Sequence, residues 1–111
     1  MEAYPERLAH ARRSLATFVG ASPERLAFIR NATEGINALF KSLPLRDNDE
    51  VLVSSHGYNA CIEAVRHCAA TRGFKVVDWR LPWPTPTDES VEESLLESIS
   101  EHTKAVVIDH I

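Results

Sequence analysis

A cluster of small and polar residues separates an apolar run from a helical pattern in the segment FIRNATEGINAL, residues 28–39. At the start of a helix the first backbone N–H groups have no helical acceptor, and the helix dipole favours an anion there. Thr33 adds a hydroxyl donor, while Ala32 and Gly35 leave the backbone accessible. The segment therefore has the chemistry to bind a phosphate, although residues 31–35 would also serve as a simple helix cap.

A second junction of the same kind lies in the segment VSSHGYNA, residues 53–60, which contains His56, Tyr58 and Asn59. An aromatic ring at this position can stack on a planar ligand. Taken singly, Tyr58 is as well explained as a core residue at a helix start, and His56 as a residue facing solvent. Two such junctions in consecutive units favour a ligand site that includes Thr33.

Known nucleotide motifs and metal patterns are missing from the sequence. No Gly-Lys-Ser/Thr triplet follows the first junction, and the G-x-G-x-x-G fingerprint does not occur. Cys61 and Cys68 are seven residues apart, which is too far for a disulfide within one helix and matches no zinc spacing. We expect both to be reduced thiols packed in the core, and we predict no metal site.

Hydrophobic periodicity predicts the elements that must position these junctions. Pro5 suits the first turn of a helix over residues 5–19, and Gly20 suits its end. A Ser90-x-x-Glu93 capping box predicts the start of the last helix. The predicted helices follow the apolar residues within 5–19, 36–43, 58–69 and 91–99, and the predicted strands cover 26–30, 51–53, 74–79 and 105–108.

The alternation of strands and helices predicts an α/β fold with a mainly parallel sheet and right-handed crossovers. Helices then cover both faces of the sheet, and ligands bind beyond the carboxyl ends of the strands. The proline-rich segment over 81–90 is predicted to be an extended surface connection that is too short to separate two domains. We therefore expect one domain over residues 1–111, with strand and helix units alternating over 26–109.

Composition and charge exclude several classes of protein. The chain has 111 residues and a net charge of -4, and its longest basic run is Arg12-Arg13, so it lacks the electrostatic features of a nucleic-acid-binding protein. No apolar run approaches the roughly 20 residues needed to cross a bilayer, and the N-terminus lacks the apolar core of a secretion signal. We expect a cytoplasmic location and no membrane partner.

Three strings carry a resemblance to a known family: FVGASPERLAFIRNATEGINALFKSL, DNDEVLVSSHGYNAC and TKAVVIDHI. They resemble the class V aminotransferase-like enzymes, which depend on pyridoxal phosphate and have fold type I. Within that family the sequence is most similar to the isopenicillin N epimerase branch, which includes hercynylcysteine sulfoxide lyase-like proteins and is related to cysteine desulfurases. The resemblance covers about residues 15–111 and implies a partial copy of the large domain.

The resemblance implies a role for residues at both junctions. The family's Ala-Thr pair binds the phosphate of pyridoxal 5′-phosphate, and it corresponds to Ala32 and Thr33, with Glu34 and Gly35 adjacent. The family's aromatic or histidine residue over the pyridine ring corresponds to Tyr58. These five residues are the cofactor-binding residues that we predict.

Other functional groups of the family have no counterpart in this sequence. Lys41, Lys75 and Lys104 do not match the motif of the family's Schiff-base lysine. Asp109 lies in a string that matches the strand before the one carrying the carboxylate that pairs with the pyridine nitrogen. We therefore predict no catalytic residue in this chain.

The resulting hypothesis is a fragment of a pyridoxal-phosphate-dependent epimerase, carbon–sulfur lyase or transferase acting on an amino acid, and inactive alone. The family builds its cofactor sites at a dimer interface, which implies a homodimer or pairing with a full-length homologue. An alternative is a non-catalytic module that binds a phosphate ligand or another protein. A third is that the chain has no stable solitary fold.

Overall fold

The computed structural model describes residues 4–84 and 86–109. Two compact units divide the chain, Met1–Arg30 and Asn31–Ile111. Residues 1–3, 85, 110 and 111 lie outside the described part. The predicted single domain includes all of them, and the predicted proline-rich connection includes Thr85.

The first unit contains one long helix, α1, which covers Tyr4–Val19 and confirms the prediction over 5–19. Gly20 follows it with φ 68°, the left-handed conformation that glycine adopts without steric cost. The Ala21 amide donates to the Ala16 carbonyl at 2.9 Å, which closes the helix end as in a Schellman motif. A short 3₁₀ helix, Pro23–Arg25, comes next.

The strand predicted over residues 26–30 is wrong, because this segment is irregular in the structure. Phe28 and Ile29 are about half exposed, at 50% and 53%. A strand forms only where a neighbouring strand accepts and donates its backbone hydrogen bonds. The strands within the described residues pair with one another and leave this apolar segment without a ladder.

The second unit alternates helices and strands as predicted. The three strands among its described residues are parallel, and β1 lies between β2 and β3. This arrangement confirms the predicted α/β fold with a parallel sheet. The elements are α2 (Ala32–Ser42), β1 (Glu50–Ser54), α3 (Asn59–Arg72), β2 (Lys75–Trp79), α4 (Asp88–Ser98) and β3 (Thr103–Val107).

The central strand has both faces covered. Val51, Leu52 and Val53 are fully buried, as the continuous apolar run predicts for a strand between two layers of helices. Val51 and Val53 face α2 and α3 in a core that includes Phe40 and Val65.

Side chains alternate along a strand, so Leu52 points to the opposite face of the sheet. On that face the Trp79 indole donates to the Ser94 hydroxyl at 3.1 Å, which joins β2 to α4. The α3 and α4 crossovers therefore lie on opposite faces, as two right-handed connections running in opposite directions require.

The helix ends follow local chemistry, with one correction. Gly73 ends α3 with φ 89°, which confirms the predicted stop. The predicted capping box at Ser90 and Glu93 is wrong, since α4 begins three residues earlier. The Thr87 hydroxyl caps the Ser90 amide at 3.2 Å and the Ser90 hydroxyl accepts from the Thr87 amide at 2.9 Å. The added first turn carries Asp88 and Glu89, whose negative charges favour a helix N-terminus.

The longest helix, α1, has 16 residues and is largely polar. Within residues 4–84 and 86–109, no helix combines the length and apolar character that crossing a membrane requires.

Candidate functional site

The first predicted junction forms the N-terminus of α2. Asn31 is the N-cap residue, and its side-chain oxygen accepts from the Glu34 amide at 2.9 Å. The Gly35 amide donates to the Asn31 carbonyl at 3.2 Å, which is the first bond of the helix. Asn31 therefore provides an acceptor for the Glu34 amide, one of the first amides of the helix that lack a helical acceptor. The amides of Ala32 and Thr33, which precede it, also lack a helical acceptor.

The amides of Ala32 and Thr33 remain available for a ligand. Over the described part of the chain, no acceptor for either amide and no partner for the Thr33 hydroxyl is present. Thr33 is half-buried and Ala32 is exposed. The Asn37 side chain donates to the Thr33 carbonyl at 3.0 Å, which holds this turn in its helical form. The first turn of α2 thus offers two backbone donors and one hydroxyl.

Glu34 limits how an anion can bind this turn. Its carboxylate lies in the first turn of α2, where it already complements the positive end of the helix. Its amide is engaged by Asn31. The two amides of this turn without an acceptor among the described residues are therefore those of Ala32 and Thr33.

The second predicted junction turns the chain from β1 into α3. The Ser55 amide donates to the Trp79 carbonyl at 2.9 Å, which continues the pairing with β2, and the Gly57 amide donates to the Ser54 carbonyl at 3.0 Å, which tightens the turn. Tyr58 is the N-cap residue of α3 and is 65% exposed. Its ring is accessible to a planar ligand, as the prediction requires.

His56 lies in this turn, and its ring packs beside that of Trp83. Its ring lies 5.6 Å from that of Trp83, tilted by 31°. Its Nδ1 atom is 3.1 Å from the Ser55 hydroxyl, which also accepts from the Leu81 amide at 3.3 Å. These contacts tie the connection after β2 to the end of β1.

The N-termini of α2 and α3 both lie at the carboxyl edge of the sheet. At the opposite edge the Arg72 guanidinium, in the last turn of α3, donates to the carbonyls of Phe40 and Leu43 at the end of α2. The two helices therefore end together, and both run antiparallel to the strands. Thr33 and Tyr58 consequently lie on the same edge, the one where parallel sheets bind ligands.

The lysines lie at the other edge. Lys41 is in the last turn of α2, Lys75 begins β2, and Lys104 is the second residue of β3. The five residues of β1 extend the sheet by about 16 Å between the two edges. The structure brings Thr33 and Tyr58 to one edge and places all three lysines at the amino edge.

An open cavity of about 610 Å³ adjoins the second junction on the α4 face of the sheet. Its lining includes Ser54, His56, Trp79, Trp83 and Asp109. The second junction thus contributes Ser54 and His56 to the cavity, whereas Thr33 and Tyr58 are not among the described residues that line it. The described residues also contain no group of three or more His, Cys, Asp or Glu side chains placed to bind a metal ion.

The sequence interpretation missed the contact between Asp109 and Tyr58. Asp109 follows β3, and its carboxylate accepts from the Tyr58 amide, 51 residues away. A signal for this contact was present, because the carboxyl ends of parallel strands share one edge. The interpretation considered Asp109 only as a partner for a pyridine nitrogen and did not relate it to α3.

Comparison with known proteins shows what the chain is similar to. Residues 2–111 match the protein-family model described as Aminotransferase class-V. The isopenicillin N epimerase of Amycolatopsis lactamdurans is 31% identical over 110 residues, or 96% of this chain and 28% of that protein. The isopenicillin N epimerase of Streptomyces clavuligerus is 27% identical over 107 residues, or 96% and 27%. The chain thus spans little more than a quarter of the length of these relatives.

Solved structures show the same fold at lower sequence identity. A complex of the cystine C-S lyase C-DES with its product cysteine persulfide has a TM-score of 0.82 and 20% identity, covering 92% of this chain and 26% of that one. The cysteine desulfurase CsdA (S-sulfonic acid) from Escherichia coli has a TM-score of 0.74 and 22% identity, covering 96% and 28%. The predicted partial copy of the fold type I large domain is confirmed.

Proposed function

Because this chain belongs to the class V aminotransferase family, we propose that it carries the phosphate-binding and ring-contacting segments of a pyridoxal-phosphate-dependent enzyme that acts on an amino acid. The observation that carries the proposal is the first turn of α2, where Ala32 and Thr33 leave two amides and a hydroxyl available. A solved relative of the same fold, a C-DES mutant, holds glycine covalently linked to its pyridoxal phosphate cofactor.

The phosphate of pyridoxal 5′-phosphate fits this turn. Two amides and the Thr33 hydroxyl match the acceptor oxygens of a phosphate, and the helix dipole adds to their attraction. Gly35 belongs to the same turn, half-buried, with its amide already bonded to the Asn31 carbonyl. We propose that Ala32 and Thr33 bind the phosphate and that Glu34 and Gly35 form the rest of the turn.

The pyridine ring is assigned to Tyr58 in this proposal. The exposed phenol lies at the edge of the sheet that also carries Thr33, and offset stacking of aromatic rings is favourable by about 0.5–1.5 kcal/mol beyond area burial. Phosphate and ring are thus held by the starts of two neighbouring helices, each of which packs on the same face of the sheet.

The cofactor, when bound, supplies an electron sink for reactions at the amino-acid substrate, and it does so once a lysine holds it covalently. The positions of Lys41, Lys75 and Lys104 at the amino edge support the view that this chain binds the cofactor without such a lysine. We propose that the chain alone does not complete a catalytic cycle. Epimerisation, carbon–sulfur cleavage and group transfer all remain open as the reaction of a complete enzyme.

Assembly with a second chain is part of the same proposal. β2 and β3 are edge strands of the described sheet, and an unpaired edge is a template for another strand. Beside the β3 edge, Val106 and Ile108 are 37% and 50% exposed. We propose pairing with a second copy or with a full-length homologue there.

Cys61 and Cys68 are both free and buried, which supports a reducing, cytoplasmic setting.

Calorimetric titration of the protein with pyridoxal 5′-phosphate, pyridoxal and inorganic phosphate tests the proposal. We expect the phosphorylated cofactor to bind more tightly than either of the other two, because only it engages Thr33 and Tyr58 together. Borohydride reduction followed by peptide mapping is expected to show no single lysine carrying the label in stoichiometric amount.

Two results would contradict the proposal. Equal affinity for pyridoxal and its phosphate ester would remove the phosphate role of Ala32 and Thr33. Stoichiometric labelling of one lysine would show that the chain holds the cofactor covalently. Thr33→Val should weaken binding of the phosphorylated cofactor, and Thr17→Val is its matched control. The Thr17 hydroxyl lies in α1 and donates to the Arg13 carbonyl, so binding should be unchanged in that variant.

A further inference from the structure

The start of α3 is held by a residue from the far end of the chain. Tyr58 is the N-cap residue of α3, and its own side chain makes no capping hydrogen bond. Its amide donates to the carboxylate of Asp109, which follows β3. The bond joins the carboxyl end of an edge strand to the residue that presents the aromatic ring.

Gly57 makes room for this contact. A Cβ atom at Gly57 would lie 3.3 Å from the Asp109 Oδ2 atom, 3.2 Å from the Ser54 carbonyl oxygen and 3.0 Å from the Ile62 Cδ1 atom. All three distances are tighter than most contacts of real Cβ atoms. The absence of a side chain at residue 57 therefore lets the carboxylate reach the next amide.

The charge of Asp109 suits its position. The first turn of α3 contains no acidic residue of its own, whereas the first turn of α2 contains Glu34. A carboxylate at a helix N-terminus is favourable because the helix dipole and the unpaired amides are positive there. Asp109 supplies from β3 the negative charge that the sequence of α3 lacks.

We infer that Asp109 is a positioning residue for Tyr58, holding its backbone so that the phenol stays at the carboxyl edge beside α2. The inference rests on the proposed function, in which Tyr58 contacts the cofactor ring. Asp109 touches Tyr58 through the backbone only and is given no contact with the cofactor. Asp109 therefore affects cofactor binding by setting the position of Tyr58.

The test compares Asp109→Ala with Asp109→Asn, because asparagine keeps a side-chain oxygen that accepts a hydrogen bond. In ligand-free protein we expect hydrogen exchange at the Tyr58 amide to accelerate about tenfold in Asp109→Ala and clearly less in Asp109→Asn, which keeps the acceptor but loses the charge. The ratio of pyridoxal 5′-phosphate affinity to inorganic phosphate affinity should fall in Asp109→Ala and recover in Asp109→Asn. Asp78→Ala is the control, since that exposed carboxylate pairs with Arg66 on α3.

An unchanged exchange rate in Asp109→Ala would overturn the inference, as would an Asp109→Asn variant that behaves like Asp109→Ala. Should Asp109→Ala fail to fold, Gly57→Ala gives a second test, because its methyl group would crowd the Asp109 carboxylate and also the Ile62 side chain. Acceleration of exchange confined to the Tyr58 amide supports the inference, and equal acceleration at the Ile62 amide contradicts it. Exchange is measured without ligand. Failure of the proposed function, seen as no cofactor binding, is thus distinct from failure of this inference.

Discussion

The Arg72 guanidinium donates to the main-chain carbonyl of Phe40 at 2.6 Å and to that of Leu43 at 2.8 Å. Both carbonyls lie at the end of α2, where the helix dipole is negative and the last carbonyls lack helical donors. One side chain of α3 thus caps α2 and sets the two helices side by side. This contact holds together the ends of the two helices whose starts carry Thr33 and Tyr58.

Arg72→Met should lower the free energy of unfolding by about 1.5–3 kcal/mol, because it removes charge-assisted bonds and leaves part-buried carbonyls unpaired. Arg66→Met is the matched control on the same helix. Arg66 makes ion pairs to Asp78 at 2.6 Å and Glu63 at 3.2 Å, but its side chain is 45% exposed, so its loss should cost about 1 kcal/mol or less. Urea unfolding measures both, and equal losses would contradict the capping role of Arg72.

Gly73→Ala should destabilise the protein through two separate effects. The residue has φ 89°, and a left-handed conformation costs an L-residue about 1–2 kcal/mol. A Cβ atom would also lie 2.8 Å from the Asp47 Oδ1 atom. That oxygen ends an exposed, flexible side chain that can turn away, so the second effect should be the smaller one and Gly73→Ala should cost only slightly less in an Asp47→Ala background. Thermal unfolding of the original protein and the three variants checks this, and a loss that largely vanishes in the Asp47→Ala background would contradict the conformational cost.

Thr33→Val should weaken binding of pyridoxal 5′-phosphate and of inorganic phosphate alike, by about 1–3 kcal/mol, because the hydroxyl donor to a charged oxygen is lost. Thr33→Ser keeps the hydroxyl and should bind nearly as the original does. Isothermal titration gives the affinities. If the valine variant binds both ligands as before, Thr33 is an ordinary first-turn residue of α2.

Tyr58→Ala should lower the affinity for pyridoxal 5′-phosphate by about 0.5–1.5 kcal/mol while leaving the affinity for inorganic phosphate unchanged. Tyr58→Phe retains the ring and should bind both ligands normally. The same titrations separate this pattern from that of Thr33→Val, which affects both ligands. A fall in phosphate affinity on loss of the ring would mean that Tyr58 acts on the first turn of α2 and not on the cofactor ring.

The sequence predicted the local chemistry of the site better than its connections. Thr33 at a helix start and Tyr58 after a strand both follow from residue type and periodicity, because these signals extend over only a few positions. The contact between Asp109 and Tyr58 spans 51 residues and depends on how three strands are ordered in the sheet. Local patterns place both residues at the carboxyl edge of a parallel sheet, but they do not show that the two residues are neighbours there.

The sequence alone determined the approximate positions of the helices and the alternation of strands and helices, because both depend on residue types at short spacing. It also carried the family resemblance in three strings of residues. Only the tertiary structure decided that residues 26–30 form no strand, since apolar residues give strand propensity but a ladder requires a partner. It also decided that β1 lies between β2 and β3 and that the Asp109 carboxylate reaches the Tyr58 amide. Strand order depends on contacts between residues far apart in the sequence, and these form only when the elements pack together.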